Sequence, residues 1–181
     1  MPWFLVVAIM LWIPGFARAD HPPLEVVAEV DLERYEGTWH EIARLPNRFQ
    51  RKCVGEVSAT YTLVKDTELK VVNRCRLADG SFSEAEGLAR LADPDGPPSK
   101  LEVRFAPRWL SWLPAVWGDY WILSLADDYA YVVVGTPDRD YLWILARQPV
   151  MDASTYDELV GAMGERGFPV DELLVSGRIE P

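Results

Sequence analysis

The feature that most constrains this chain is a series of eight short segments of β character between residues 39 and 147, mostly separated by turn signals. They cover residues 39–45, 55–64, 68–77, 82–92, 100–106, 119–125, 129–135 and 141–147. Lys65-Asp66-Thr67, Ala78-Asp79-Gly80, Ala126-Asp127-Asp128 and Pro137-Asp138-Arg139-Asp140 are each too polar and turn-prone to continue a strand. Strands at this spacing predict an antiparallel meander. Then the period changes. Tyr156, Leu159, Val160 and Met163 recur at helical spacing, so the spacing predicts an amphipathic helix over 152–166, capped by Asp152 or Ser154 and ended by Gly167. One helix after eight strands has to lie against the outside of the sheet. A meander left open has two unpaired edges, and pairing strand eight with strand one removes both. An eight-stranded ring is just wide enough to fill with side chains or to hold one small ligand. The expected fold is therefore all-β: a closed eight-stranded antiparallel up-and-down β-barrel with a C-terminal helix outside, in one domain over 20–181.

The first strand opens with Gly37-Thr38-Trp39-His40-Glu41-Ile42-Ala43-Arg44-Leu45. Glycine permits a tight entry, and the indole suits a plug for one end of a closed sheet. Alternation puts Trp39, Glu41 and Ala43 on one face and His40 and Ile42 on the other. Leu32 to Tyr35 reads as a helical turn, and the acidic, Pro-containing stretch from Asp20 to Val30 as a loose lead-in. Residues 47–53 form a polar, basic loop long enough to cover an opening. Residues 107–118 are unusual for a loop, because Trp109, Leu110, Trp112, Leu113 and Trp117 sit between Pro107 and Gly118. They either fold back on the sheet, enter a membrane interface, where Trp is favoured, or form a partner patch.

Residues 1–19 have the form of a signal peptide, with an apolar run and Ala17-Arg18-Ala19 before the cleavage point. Export is expected, and no Cys near that boundary offers a lipidation site. The chain carries 28 acidic against 18 basic residues, which argues against nucleic acid and against bulk attraction to anionic lipid. Two Cys, Cys53 and Cys75, in an exported chain suggest one disulfide. A simple hairpin does not place them opposite each other, so the chain around Cys53 has to curl back. Two Cys and two His without metal-ligand spacing predict no metal site, and no motif calls for a cofactor.

The ordered motifs resemble the lipocalin family. Gly37-Thr38-Trp39 matches its first motif. Asp128-Tyr129-Ala130-Tyr131 is similar to its second, with Asp127 where Thr is usual, and Arg147 matches its third. Arg34-Tyr35-x-Gly37-Thr38-Trp39-x-Glu41-Ile42-Ala43, Gly118-Asp119-Tyr120-Trp121-Ile122-Leu123 and the block from Asp138 to Arg147 resemble the branch of bacterial outer-membrane lipocalins, plant temperature-induced lipocalins and apolipoprotein D. The resemblance implies that Arg147 crosses Trp39 at the barrel base, a cation–π contact of about 0.5–2 kcal/mol. With Arg147 inward, alternation turns Leu145, Trp143 and Tyr141 inward as well. Trp143 and Tyr141, with Tyr61 and Asn73 at positions that line the cavity in the apolipoprotein D branch, are the expected ligand-binding residues.

What the resemblance implies about function is binding, storage or transport of a small hydrophobic molecule, a fatty acid or lysophospholipid, linked to the cell envelope. The expected location is the periplasm, with contact to the outer membrane left open, as is a homodimer. Bacterial relatives often carry a lipidated N-terminal Cys, which this chain lacks, and plant relatives have a similar apolar loop. No nucleophile elbow or phosphate loop appears, so enzymatic activity is not expected. Two alternatives stay open: a lipocalin-type enzyme using a cavity thiol, and an envelope interaction protein whose barrel is filled.

Overall fold

The computed structural model describes residues 21–181, and the expected signal peptide lies outside the described residues. Eight strands form the ring: β1 Gly37–Arg44, β2 Cys53–Lys65, β3 Glu68–Leu77, β4 Phe82–Leu91, β5 Lys100–Arg104, β6 Gly118–Leu125, β7 Tyr131–Gly135 and β8 Leu142–Ala146. Each pairs antiparallel with the next, and β1 also pairs with β8, so the barrel closes. A short helix, α1 Leu32–Tyr35, precedes β1, and Asp31 caps it by accepting from the N–H groups of Glu33 and Arg34. After β8 come β9 Val150–Asp152, the helix α2 Ala153–Glu165, β10 Leu174–Val175 and β11 Arg178–Glu180. Asp152, rather than Ser154, caps α2: its carboxylate accepts from the N–H groups of Ser154 and Thr155.

Two apolar layers share the barrel wall. The inner one joins Trp39, Tyr61, Leu69, Val71, Leu101, Ile122, Val132 and Leu145. The outer one packs Leu159 and Met163 of α2 against Ile42, Val133, Leu142 and Ile144. Helix and barrel meet as the sequence pattern predicts. The lead-in, by contrast, is docked rather than loose. Leu24 and Val30 are buried, Val27 N–H donates to the Ile122 carbonyl, and Arg139 donates to the Pro22 carbonyl. The parallel pair β9–β11 has no counterpart in the expected elements, because three-residue strands carry too little periodicity to read.

β1 departs from simple alternation. A register shift between Glu41 and Ala43 leaves Ile42 as an extra residue against β8. Glu41 lies opposite Leu145 of the inner layer, while Ala43 lies opposite Ile144 of the outer layer. Ala43 therefore faces outward with Ile42, not inward with Trp39 and Glu41 as alternation implied. Arg44, opposite Trp143, takes the inward position instead. On its other edge β1 pairs with β2 from Gly37 to His40 and with β10 at Ala43 and Arg44.

Cys53 and Cys75 form a disulfide with Cα atoms 5.5 Å apart. Cys53 begins β2 rather than ending a loop, and it pairs opposite Leu77. Register shifts on either side of Gly55 supply the curl that brings it diagonally onto Cys75. The ring spans a sequence separation of 22 residues, so loss of the bond in a Cys53→Ser, Cys75→Ser chain should cost about 3 kcal/mol. A fall of roughly 10 °C in Tm, read by circular dichroism against the oxidised parent, is expected.

Candidate functional site

The barrel has a sealed end and an open end, and both follow from named side chains. At the sealed end the Arg147 guanidinium stands 3.9 Å from the Trp39 ring centroid. It donates to the carbonyls of Arg34 and Thr38, and Trp39 Nε1 donates to the Tyr35 carbonyl at 2.9 Å. Gly37 has φ +96°, and a Cβ there would stand 3.1 Å from Arg147 Nη1, so both conformation and space exclude a side chain. Arg34 covers the Tyr129 ring at 4.0 Å. The Tyr129 hydroxyl accepts from Asp31 N–H, and Asp128 accepts from Ala130 N–H to shape that turn.

Above this plug the hydroxyl of Tyr120 meets those of Tyr35 and Tyr61 at 2.7 and 2.8 Å. Burial disfavours the phenolate, pushing Tyr61 up to about 12 and Tyr35 and Tyr120 up as well, so all three stay neutral. Tyr61 thus belongs to a hydrogen-bonded floor; it is buried and its hydroxyl is already engaged.

Higher in the barrel the inner wall changes character. Ala59, Asn73 and Ala85 lie in one row across β2, β3 and β4, and Gly87 and Ala89 continue the inner face of β4 toward the floor. Asn73, Ser83 and Ala85 are exposed although they face inward, so solvent reaches the lumen here. Phe105, beyond the end of β5, lies so close to Gly87 that a Cβ there would meet its ring at 2.8 Å. On and just before β8, separated from β2 by β1, stand Trp143 and Tyr141, with parallel rings 5.8 Å apart. The upper lumen is thus a half-cup between a wall of small side chains, with Phe105 over Gly87, and a flat aromatic wall.

A polar network backs the aromatic wall. Trp143 Nε1 donates to Gln50 Oε1 at 2.9 Å, and Gln50 Nε2 donates to Glu41 Oε2 at 2.5 Å. Ser176, just past β10, donates to Glu41 Oε1 at 2.7 Å. Asn47 builds the loop that carries Gln50, accepting from the N–H groups of Phe49 and Gln50 and donating to Gln50 Oε1. The loop leans on the rim, with the Phe49 ring 5.8 Å from Tyr141. Arg44 is buried beside this network, its Nε 3.6 Å from Glu41 Oε1.

Trp143, Tyr141 and Asn73 lie on the lumen side, and Arg147 on Trp39 at the sealed end, as the sequence reading expected. It did not single out Gln50, in a loop with no periodicity, Phe105, at the end of the alternating segment 100–106, or Arg44, which the bulge reverses. Glu41 was on the inner face by alternation, but a buried carboxylate is not expected without its partners in view. Two surface grooves, of about 530 Å³ beside α1 and about 200 Å³ against β9, lie outside the lumen. The candidate site is placed in the lumen because apolar walls and convergent polar groups meet there.

The 107–118 loop divides. Trp109 and Trp112 are 73% and 75% exposed. Trp117 folds back instead: its Nε1 donates to the Ser111 carbonyl, and Arg90 covers its ring at 3.8 Å. Leu110 and Leu113 are half-buried. Phe49, Phe82 and Phe105 join Trp109 and Trp112 as exposed aromatics at the same end of the barrel.

Burial raises the pKa of Glu41 above the ordinary glutamate value, against the opposing pull of Ser176, Gln50 and Arg44. The folded chain therefore keeps a proton at pH values where the unfolded chain has lost it. That contribution to stability is complete below the unfolded pKa and is lost as pH rises through the folded one. Glu41→Gln keeps the shape and removes the ionisation, and the Ser176 hydroxyl can turn to accept. Its Tm relative to the parent should rise as pH increases above the ordinary glutamate range. A constant or falling difference across a series of thermal melts is the contrary result.

Residues 30–177 match the family model for a lipocalin-like domain. The chain is 42% identical to temperature-induced lipocalin-1 of Arabidopsis thaliana over 83% of its own length and 80% of that protein. It is 35% identical to the outer membrane lipoprotein Blc of Escherichia coli over 94% of its own length and 89% of that protein. Among solved structures, insecticyanin from the tobacco hornworm Manduca sexta superposes with a TM-score of 0.65 at 20% identity, covering 86% of this chain and 85% of that one. The sealed base, the closed ring and these relatives agree: this chain belongs to the lipocalin family, whose members bind small hydrophobic ligands and act as carriers rather than enzymes.

Proposed function

We propose that the upper lumen binds one fatty acid or lysophospholipid per chain, for storage or transport at the cell envelope after export. The observation that carries this reading is the half-cup between Trp143–Tyr141 and the row Ala59, Asn73, Ala85, open to solvent on one side. Affinity would come from apolar burial, at roughly 25 cal/mol per Å² before ordering costs. Tyr61 would form part of the floor beneath the chain end and Asn73 part of the wall. The relative named as an outer membrane lipoprotein supports an envelope setting. The cavity-thiol alternative is overturned, because both cysteines of the chain are in the disulfide.

Native mass spectrometry after gentle extraction should show one lipid per chain and reports any homodimer in the same spectrum. Fatty acid or lysolipid should quench tryptophan fluorescence in the parent. Trp143→Phe should remove most of that quenching and weaken binding by about fivefold. Bare polypeptide together with unquenched fluorescence would favour a filled barrel with an interaction role.

The exposed aromatics at the open end support a second element of the reading, that the mouth touches a membrane interface while the ligand enters or leaves. Trp109→Ser, Trp112→Ser should reduce flotation with phosphatidylcholine vesicles severalfold. Trp117 is left in place because it supports the loop. Flotation equal to that of the parent would remove the membrane element.

A further inference from the structure

We infer that Arg44 anchors the head group of the ligand, and that this head is a carboxylate, which makes a long-chain fatty acid the preferred guest. The inference rests on the carrier reading and sharpens it. Four observations carry it. The bulge at Ile42 turns Arg44 to the lumen face, directly opposite Trp143, while Ala43 and Leu45 on either side belong to the outer layer. Arg44 is only 9% exposed, and a guanidinium stays charged at any physiological pH. Its Nε has no hydrogen-bond partner among the described residues. Finally, the carboxylate beside it among the described residues, Glu41, accepts from Ser176 and Gln50 and stands 3.6 Å from Nε, just beyond hydrogen-bond distance.

A buried guanidinium with an unpartnered Nε, and with its neighbouring carboxylate beyond hydrogen-bond distance, keeps donor capacity for another anion. Burial also disfavours the charged form of Glu41, which weakens the compensation further. A ligand carboxylate would supply what the site lacks, because a guanidinium presents two parallel donors that match its two oxygens. The acyl chain would then run along Trp143 and Tyr141, which share the face of Arg44. Glu41 acts here as a positioning residue: its hydrogen bonds fix the loop and strand edge around Arg44, and it makes no contact with the chain.

The test compares oleate with oleyl alcohol, which share a chain and differ in the head, by fluorescence titration of the parent, Arg44→Met and Arg44→Lys. The parent should favour oleate by about tenfold or more. Arg44→Met should lose that preference, so that oleate and oleyl alcohol bind it with similar affinity, and Arg44→Lys should keep part of it. A parent that does not discriminate between the two, or an Arg44→Met that still prefers oleate, overturns the anchor and leaves the carrier reading standing. A parent that binds neither molecule overturns both. If Arg44→Met fails to fold, the parent's own preference and the lysine variant still decide the question. A third arm with 1-oleoyl lysophosphatidylcholine checks the head: binding as tight as that of oleate, and unaffected by Arg44→Lys, also overturns the carboxylate assignment.

Discussion

A strand that carries one residue more than its partner has to hand its later side chains to the other face, and β1 does this at Ile42. Everything at the open end depends on that step. Before it, β1 shares its free edge with β2, and its inward residues are Trp39 and Glu41. After it, β2 has departed, β10 takes the edge, and the inward residue is Arg44. The bulge lets one strand serve the closed base, the opening between β1 and β2, and the outer layer beneath α2. It also sets a cation beside the Glu41 carboxylate on the lumen side of a barrel whose other inward positions are largely apolar.

The two ends of the barrel solve opposite problems. At the base an arginine lies on a tryptophan and spends its donors on two carbonyls, while three tyrosines satisfy one another's hydroxyls above it. Each polar atom named there has a partner, so the base closes without leaving a named donor or acceptor unmet. At the mouth the small residues of β2 to β4 leave room, and the polar groups converge on one wall from three separate segments, β1, the 46–52 loop and the stretch after β10. A closed floor with an unevenly furnished mouth suits a guest with one apolar end and one polar end.

Much of this was legible in the residues. Turn signals and alternation located the eight strands to within a few residues, because a half-buried strand advertises itself with period two. Gly37, Trp39 and Arg147 were legible as a set through their resemblance to the ordered lipocalin motifs, which implied the indole–guanidinium plug. Arg44 and Ala43 were not. A bulge arises when two edges of one strand compete for different partners, and neither partner is visible within the strand's own seven or eight residues. Trp117 and Trp109 looked alike in the sequence. Arg90 and the Ser111 carbonyl separate them, and those contacts exist only once β4 and the loop have folded together.

The order of residues by itself determined the closed antiparallel ring and the outer helix, because each rests on local periodicity, while the basal plug and the aromatic inner wall were legible through motifs that resemble those of the lipocalins. The tertiary structure alone decided which face Arg44 shows, which carboxylate is buried beside it, how Cys53 reaches Cys75 and which loop tryptophans stay in water. Those outcomes depend on distant segments meeting, and a side chain's surroundings are set by what packs against it rather than by its neighbours in the chain.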